Sequence, residues 1–487
     1  MKVLTSVQIK FAEKSAVEHG LFSYAVLMKN AGEAVFEEII KRYAVVGKKV
    51  LIIAGCGNNG GDGAVIADRL SGAGAFVTMC YPMGRPDTET ARRYAEAVEN
   101  LPVCRAVTDN YDIYIDALFG TGFNKPLTQE TAYLIDSVNA KPGIKIAVDL
   151  PSGLFCDGGM AQTAFRADLT VTFIGYKLCQ LLPPTSSFCG EVCFCSLDVP
   201  TEDDYAYNII LPPKVRICDK NSHKGTFGIA LLLCGSYGMC GAQILSAKAA
   251  VTCGAGIVKA IVCDKNYAAF TSSVPEAVTV PVETAASGAP VVYDKTMLSA
   301  LSGANSLLVG CGIGRSDEAK TAVKKALLYT NVPTVIDADG INAVAGDISI
   351  LKNVNSEVIL TPHPGEMARL LNTTVEEVEA NRVVAAKRFA CDNGCIVVLK
   401  GANTIVAAPN GEVYFNVTGN YGMAKGGSGD VLGGIIAALL ANGYDALTAV
   451  LTAVYVHGKA GDAAAERYTK RTMTPCDIIG ELKFISF

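Results

Sequence analysis

Short, continuous apolar runs, each separated from the next by a helical or loop stretch, constrain the fold of this chain most strongly. In the first half of the sequence they occupy residues 50–54, 75–77, 113–115, 144–148 and 169–173. Strands buried on both faces have continuous rather than alternating apolar sequences, and parallel strands need helical crossovers between them. The pattern therefore predicts an α/β fold, in which a mostly parallel sheet is covered by helices on both faces.

The same pattern restarts in the second half, after a stretch that lacks it. Residues 200–225 contain acidic and proline-rich segments without periodicity. Apolar runs then follow at residues 228–233, 257–262, 306–309, 334–336, 358–360, 395–399 and 404–407. A chain of 487 residues also exceeds what one hydrophobic core usually organises. We therefore predict two α/β domains, at residues 1–205 and 223–487, joined by a linker at 206–222.

Composition excludes several classes of protein. The formal net charge of −5 provides no basic surface for nucleic acid, and the longest apolar run, at 432–441, is shorter than the roughly 18 residues of a membrane span. The 17 cysteines are odd in number and include no Cys-x-x-Cys pair, which indicates reduced thiols and a cytoplasmic protein. Cys189, Cys193 and Cys195 lie in an alternating, strand-like stretch, and we interpret them as structural rather than zinc-binding.

A glycine- and asparagine-rich segment at residues 57–63 lies between a predicted strand and a predicted helix. Glycines allow a ligand to approach the backbone, and the free N–H groups of a helix start bind anions. Asp116 and Asp149 each end a later predicted strand. A single aspartate in that position is more often a cap or a turn former. Because ligands bind at the carboxyl edge of open α/β sheets, the three features together predict a ligand site.

A second glycine-rich segment, at residues 420–430, ends in Gly427-Ser428-Gly429-Asp430 and leads into an apolar helix. Successive glycines before a helix expose backbone N–H groups to phosphate oxygens. The segment has no Walker A pattern. Asp430 can accept the proton of an attacking hydroxyl, as phosphoryl transfer requires; the alternative is a simple helix cap. Lys425 either adds charge to this anion site or is solvated.

Other predicted strand ends in the second half provide supporting groups. They are the glycine turn at 310–315, the carboxylates of Asp337 and Asp339, His363 between two prolines, and the polar segment 400–404. These groups predict a nucleotide-dependent phosphoryl-transfer site.

Residues 1 to about 205 resemble the NAD(P)H-hydrate epimerase family through the segments 57–63, 116–122 and 149–153. The resemblance implies a Rossmann-like three-layer fold that interconverts the R and S epimers of hydrated NADH or NADPH. It also implies that Asp149 accepts and returns a proton, and that Asn59, Asp116 and Ser152 ligate K⁺. The hydrate-binding residues that it implies are Asn58, Asn59, Gly60, Gly61, Asp62, Gly120, Thr121, Gly122, Phe123, Asn124, Lys125, Pro126 and Asp149.

Residues from about 215 to 487 resemble the ribokinase-like superfamily and, within it, the ADP/ATP-dependent NAD(P)H-hydrate dehydratases. Segments 223–225, 235–236 and 239–242 add to this resemblance. It implies a three-layer domain that phosphorylates the C6 hydroxyl of the S hydrate with ADP or ATP and Mg²⁺ and then eliminates phosphate, with Asp430 as the base. The implied hydrate contacts are Ala242, Gly312, His363 and Asp430, and the implied nucleotide contacts are Lys400, Gly401, Ala402, Asn403, Thr404 and Gly429.

The two resemblances together imply a bifunctional cofactor-repair enzyme with small-molecule substrates, no nucleic-acid or membrane partner, and a homo-oligomeric state. Fusion of the two domains favours ADP over ATP. One alternative is a vitamin kinase of the hydroxymethylpyrimidine or pyridoxal type with an accessory Rossmann-like domain. Another is a non-catalytic first domain that serves as a binding module, although Asp116, Asp149 and Ser152 are all retained.

Overall fold

A computed structural model of the chain describes residues 1–201 and 207–487. The chain divides into two compact units, Met1–Tyr205 and Ala206–Phe487, which we call unit 1 and unit 2. Among the described residues, no helix has both the length and the apolar character of a membrane span.

Unit 1 is built on one sheet in which every pair of neighbouring strands is parallel. Its strands are β1 (Lys49–Ala54), β2 (Phe76–Cys80), β3 (Val103–Cys104), β4 (Ile113–Ala117), β5 (Ile144–Val148), β6 (Leu169–Phe173) and β7 (Glu191–Cys195). Its helices are α1 (Ser6–Glu18), α2 (Tyr24–Arg42), α3 (Asn58–Gly72), α4 (Glu89–Ala97), α5 (Gln129–Asn139) and α6 (Leu178–Leu181). The strand order β3-β2-β1-β4-β5-β6-β7 is that of a Rossmann-like sheet.

The sheet of unit 1 is buried on both faces, as the continuous apolar runs predict. Val50 and Ile52 of β1 belong to one hydrophobic cluster, and Leu51 and Ile53 belong to a second cluster on the opposite face. Because successive side chains of a strand point to opposite faces, only a strand covered on both sides needs an uninterrupted apolar sequence. The predicted three-layer α/β fold is confirmed for this unit.

Unit 2 contains a larger sheet. Its strands are β8 (Tyr207–Ile209), β9 (Ile229–Leu233), β10 (Ile257–Cys263), β11 (Val278–Val282), β12 (Ser306–Val309), β13 (Thr334–Ile336), β14 (Val358–Leu360), β15 (Ile396–Leu399), β16 (Ile405–Ala407) and β17 (Val413–Phe415). Its helices are α7 (Cys240–Thr252), α8 (Tyr267–Ser273), α9 (Asp294–Leu301), α10 (Asp317–Tyr329), α11 (Asp339–Val344), α12 (Pro364–Leu371), α13 (Val375–Ala380), α14 (Arg382–Asn393), α15 (Ser428–Ala441), α16 (Ala446–Tyr468) and α17 (Pro475–Leu482).

The strand order of unit 2 is β11-β10-β9-β12-β13-β14-β15-β16-β17-β8. Strands β9 to β15 pair in parallel, and β16 runs antiparallel to both of its neighbours. Helix α15 packs against α7 at close range, because a Cβ on Gly434 would lie 2.2 Å from the backbone oxygen of Ser246. The predicted second α/β domain is therefore confirmed as an α/β unit.

The structure differs from the predicted linker at residues 206–222. Tyr207–Ile209 form β8, which pairs in parallel with β17 at the edge of the second sheet. Such a short edge strand has too few residues to show a periodicity, so the sequence pattern did not distinguish it from a loop. Residues 202–206 of the predicted boundary lie outside the described residues.

Candidate active sites

The polar residues singled out in unit 1 meet at the carboxyl ends of its strands. The strand order reverses between β1 and β4, and such a reversal opens a crevice in which ligands bind. Asn59 follows β1, Asp116 lies near the end of β4, and Asp149 follows β5 directly. Predicted site residues from separate parts of the sequence therefore gather at one edge of the sheet.

A cavity of about 900 Å³ opens at this edge, which is within the usual size of small-molecule sites. The predicted hydrate-binding residues that line it are Asn58, Asn59, Asp62, Gly120, Thr121, Gly122, Phe123, Asn124, Lys125, Pro126 and Asp149. Gly60 and Gly61 do not line the cavity. A Cβ on Gly60 would lie 2.0 Å from the backbone oxygen of Gly55, and one on Gly61 would lie 2.4 Å from the sulfur of Met28. These two glycines allow close packing of α3.

Asp149 is held in an unusual conformation beside a buried lysine. Its backbone φ is +67°, a region that non-glycine residues rarely adopt outside functional sites. Its carboxylate accepts hydrogen bonds from the Thr172 hydroxyl at 3.2 Å and the Phe173 backbone N–H at 3.3 Å. It also forms an ion pair with Lys177.

Lys177 is fully buried. Its Nζ also donates to the Thr172 hydroxyl at 2.6 Å and to the Phe173 backbone oxygen at 3.0 Å. Sequence reasoning missed this residue, although a single lysine in an otherwise apolar stretch was a visible indication. The arrangement holds the carboxylate of Asp149 in a fixed position beside the Lys177 ammonium.

The predicted K⁺ ligands Asp116, Ser152 and Asn59 are linked by hydrogen bonds, and Asn59 also lines the cavity. Ser152 donates from its hydroxyl and its backbone N–H to the two oxygens of Asp116, each at 2.7 Å. Asn59 donates to the backbone oxygen of Phe119 at 2.9 Å, and the Phe119 N–H donates to the Ser152 hydroxyl at 2.9 Å. Burial raises the pKa of Asp116 to about 6, despite these hydrogen bonds.

The predicted site residues of unit 2 also come together at the carboxyl edge of its sheet. The strand order reverses between β9 and β12. Gly312 follows β12, Asp337 follows β13, His363 follows β14, and Lys400 follows β15. The N-terminus of α15, which carries Asp430, completes the group. The carboxyl edge of this sheet thus has the form of a ligand site.

Asp430, which is partly exposed, lies next to the buried Asp337 and Cys311, and the carboxylate oxygens and thiol sulfur of the three residues are all within 4.8 Å of one another. Lys400 donates to Asp337 at 2.7 Å. Burial opposes ionisation of Asp337, but the charge of Lys400 outweighs it and lowers the pKa of Asp337. Burial and the charge of Asp337 raise the pKa of Asp430 to about 6. A Cβ on Gly429 would lie 3.2 Å from Lys400 Nζ, so the helix start and the lysine are adjacent.

Of the predicted hydrate contacts, Ala242 lies in the first turn of α7, Gly312 follows β12, and His363 follows β14. A Cβ on Gly312 would lie 2.7 Å from that of Ala242. His363 caps α12, where its Nδ1 accepts from the Gly365 N–H at 3.0 Å. Burial and the charges of Lys400 and Arg369 lower the pKa of His363, which favours a neutral ring.

The predicted nucleotide loop at 400–404 is shaped by a buried arginine that sequence reasoning missed. Arg382 donates to the backbone oxygens of Leu399 and Lys400, each at 3.4 Å. Gly401 has φ +151°, and a Cβ there would lie 2.5 Å from the Arg382 guanidinium. Thr404 donates to the Gly401 oxygen at 3.2 Å. Arg382 begins α14, and the local sequence of that helix did not predict a contact with the loop at 400–404.

Lys425 is partly exposed, and its ammonium is held by backbone oxygens of the segment before α17. Its Nζ donates to the backbone oxygen of Arg471 at 2.8 Å and also to that of Met473. The lysine therefore anchors the glycine loop to the segment before α17.

Substitution of Gly427 by alanine is expected to distort the start of α15. Gly427 has φ +102°, and an added Cβ would lie 2.6 Å from Leu245 Cδ1. The left-handed conformation alone costs an L-residue roughly 1–2 kcal/mol. We expect a lower unfolding temperature and weaker nucleotide binding, measured by calorimetry. Gly426→Ala is the matched control, since a Cβ on Gly426 meets nothing within 4 Å. Equal behaviour of both variants would contradict the prediction.

Comparison with known proteins gives matches for both units. Residues 230–483 match the family described as NAD(P)H-hydrate dehydratase, and residues 24–179 match the family described as YjeF-related protein N-terminus. The bifunctional NAD(P)H-hydrate repair enzyme of Moorella thermoacetica is 33% identical over 100% of this chain and 96% of its own. That of Escherichia coli is 33% identical over 98% of this chain and 92% of its own.

One solved structure is also similar. An ADP/ATP-dependent NAD(P)H-hydrate dehydratase from Bacillus subtilis, co-crystallised with ATP/Mg²⁺, is 29% identical. It covers 57% of this chain and 93% of its own, with a TM-score of 0.48.

Proposed function

Because the chain belongs to the family of bifunctional NAD(P)H-hydrate repair enzymes, we propose how its two units divide the repair. Residues 1–205 epimerise the R and S hydrates of NADH and NADPH. Residues 223–487 dehydrate the S hydrate at the expense of a nucleotide. Family membership over the whole chain favours this function over a vitamin kinase. The observation that carries the assignment is a positioned, partly buried carboxylate at the carboxyl edge of the sheet in each unit.

In unit 1, Asp149 is the group that accepts and returns a proton while the C6 hydroxyl leaves and returns or the ring opens and closes. Lys177 is a positioning residue. It fixes the carboxylate through an ion pair and, being fully buried, keeps its own charge away from solvent. The cavity residues Asn58, Asp62 and 120–126 surround the hydrate.

The oxygen groups of Asp116, Asn59 and Ser152 suit a hard monovalent cation such as K⁺. Asp116 is buried, and the groups that donate to its carboxylate, on Ser152 and Leu118, are uncharged. A cation held by these residues would compensate the buried negative charge and attract the polar part of the hydrate. The Asn59 amide oxygen and the Ser152 hydroxyl are the other ligands that we assign to it.

In unit 2, Asp430 removes the proton of the C6 hydroxyl as that oxygen attacks the terminal phosphate of the nucleotide. The N–H groups at the start of α15, Gly429 among them, bind phosphate oxygens. Lys400 adds positive charge beside them, and the loop 400–404 holds the rest of the nucleotide. Ala242, Gly312 and His363 contact the hydrate. Mg²⁺, bound to the nucleotide phosphates, would supply further charge neutralisation. The phosphorylated hydroxyl then leaves as phosphate.

Three finer assignments belong to the same proposal. ADP serves as phosphoryl donor in preference to ATP, the protein forms a homo-oligomer, and it resides in the cytoplasm. The 17 free cysteines support a reducing compartment. Parallel reactions with ADP and ATP measure the nucleotide preference, and light scattering measures the oligomeric state.

Substitution of Asp149 by asparagine is expected to slow conversion of R hydrate to S hydrate by about 10²–10⁴-fold, the usual contribution of a proton-transfer group. The assay supplies racemic hydrate, K⁺, Mg²⁺ and ADP or ATP, and follows the return of reduced-nicotinamide absorbance. The wild type should convert both epimers, whereas the variant should stop after the S fraction. Asp68→Asn, an exposed change on α3, is the control. Full conversion by Asp149→Asn would refute the assignment, and no conversion by the wild type would refute the proposed function.

A further inference from the structure

A second carboxyl group faces the cavity of unit 1 and has no role in the mechanism above. Glu13 lies on α1, whose residues Ile9, Lys10, Glu13 and Lys14 all line the cavity. Their spacing places them on one face of the helix. The helix therefore presents Glu13 to the same space as Asp149.

The start of α1 is fixed beside the loop that carries Lys177. The Leu4 N–H donates to the backbone oxygen of Tyr176 at 2.8 Å. Ser6 donates from its N–H and its hydroxyl to Asp157, each at 2.7 Å. Because the helix is held at this end, Glu13 has a defined position relative to the Asp149–Lys177 pair.

Repulsion among the carboxyl groups around the cavity favours the protonated form of Glu13. Glu13, Asp62 and Asp149 interact electrostatically with one another. Lys177 is fully buried and is paired with Asp149. Buried like charges disfavour one another's ionisation. Burial and the charge of Asp149 accordingly raise the pKa of Glu13 to about 7.

We propose that Glu13 is a second catalytic residue of epimerisation, the general acid that protonates the departing C6 hydroxyl while Asp149 serves as the base for the returning water. This inference rests on the proposed epimerase function of unit 1 and adds a residue to it.

The step balances in protons and electrons. The lone pair of the ring nitrogen forms a double bond to C6 as the C6–O bond breaks, and the Glu13 proton moves to the departing oxygen to give water. A water molecule then adds to the opposite face of C6 and loses its proton to Asp149. The other epimer reacts through the same steps in reverse, so the two carboxyl groups exchange roles.

Asp62 is less suited to this role than Glu13. Burial, followed by the charges of Asp149 and Glu13, raises the pKa of Asp62 well above its usual value. Proton transfer is most efficient when the pKa lies near the operating pH, and the pKa of Glu13 is raised to about 7. We therefore assign Asp62 to binding the hydrate.

The rate of epimerisation should show an alkaline limb in its pH profile. Glu13 acts as an acid only while protonated, so epimerisation should fall as pH rises through about 7. The titratable and charged groups that face Glu13 or line the same cavity are Lys10, Lys14, Tyr24, Cys56, Asp62, Lys125, Asp149 and Lys177.

Glu13→Gln tests the proposal. Conversion of purified R hydrate to S hydrate, followed by chromatography in K⁺ without nucleotide, should slow by at least about 100-fold, and the residual rate should lack the alkaline limb. Glu18→Gln makes the same chemical change at an exposed position of α1 and should leave the rate unchanged. The unfolding temperature of unit 1, measured by calorimetry of the full chain, reports whether the variant is folded. If it is not, Glu13→Asp replaces it and should retain the limb at a reduced rate.

A rate for Glu13→Gln within threefold of wild type, or an alkaline limb that persists in Glu13→Gln and disappears in Asp62→Asn, would overturn the inference. In either case the loss of epimerisation in Asp149→Asn would leave the proposed function intact. Failure of the wild type to epimerise would reject the proposed function itself.

Discussion

Asp430→Asn is expected to reduce nucleotide-dependent dehydration of S hydrate by about 10²–10⁴-fold, because the amide keeps the shape of the side chain but cannot accept the hydroxyl proton. Asp430 lies at the start of α15, beside Asp337 and Cys311, and Gly429 places that helix start against Lys400. Nucleotide affinity should change much less than the maximal rate. The measurement is steady-state kinetics with purified S hydrate and ADP or ATP.

Two controls distinguish loss of the catalytic base from a general loss of folded structure. Asp392→Asn removes an exposed carboxylate of α14 that pairs with Arg388 at 3.5 Å, and it should be as active as the wild type. Epimerisation by unit 1 should be unaffected in both variants. Dehydration by Asp430→Asn at more than a tenth of the wild-type rate would reject Asp430 as the base.

The pH dependence of dehydration follows from the same carboxyl group. Burial and the charge of Asp337 raise the pKa of Asp430 to about 6, and a base must be ionised to act. Dehydration should therefore be lost as pH falls through about 6, with a slope of one proton. Epimerisation should instead be lost as pH rises through about 7, because Glu13 acts in its protonated form. The two activities of this chain should therefore depend on pH in opposite directions.

Lys177→Met is expected to have the largest combined effect on stability and activity in unit 1. It leaves the Asp149 carboxylate, with a side chain only 15% exposed, without its cation. Breaking a buried ion pair by removing one partner typically costs about 3–5 kcal/mol. Epimerisation should be lost as well, since Asp149 then lacks the group that fixes it. Calorimetry of the full chain should show unit 1 unfolding at a lower temperature while unit 2 remains active.

A double-mutant cycle distinguishes this explanation from a simple packing defect. Lys177→Met combined with Asp149→Asn removes both charges, so the double variant should be more stable than Lys177→Met alone, though inactive as an epimerase. Lys48→Met is the matched control, because Lys48 pairs with Asp112 at the surface at 3.3 Å and such exposed pairs contribute about 0–1 kcal/mol. Additive effects in the cycle would contradict a charge-pair explanation.

The sequence by itself determined the fold class and predicted most of the residues of the candidate sites. Continuous apolar strands at 50–54 and 144–148 can be buried only in a sheet that is covered on both faces. Asp116 and Asp149 follow or end parallel strands, and the carboxyl ends of parallel strands share one edge, so their proximity followed from topology alone. The glycine loop before α15 predicts a phosphate-binding site, because successive glycines before a helix leave backbone N–H groups free.

Only the tertiary structure decided which side chains complete the sites. Glu13 and Arg382 come from helices whose local sequences predict nothing about ligands, and Lys177 was indicated only as a lone lysine in an apolar stretch. Gly60 and Gly61 belong to the same motif as Asn59, yet they pack against Gly55 and Met28 instead of lining the cavity. Spacing along a strand or helix fixes a direction for each side chain, but burial and partner charges arise from segments that are distant in the chain. Those long-range contacts set the ionisation of Glu13 and Asp430, and with it the chemistry that we propose.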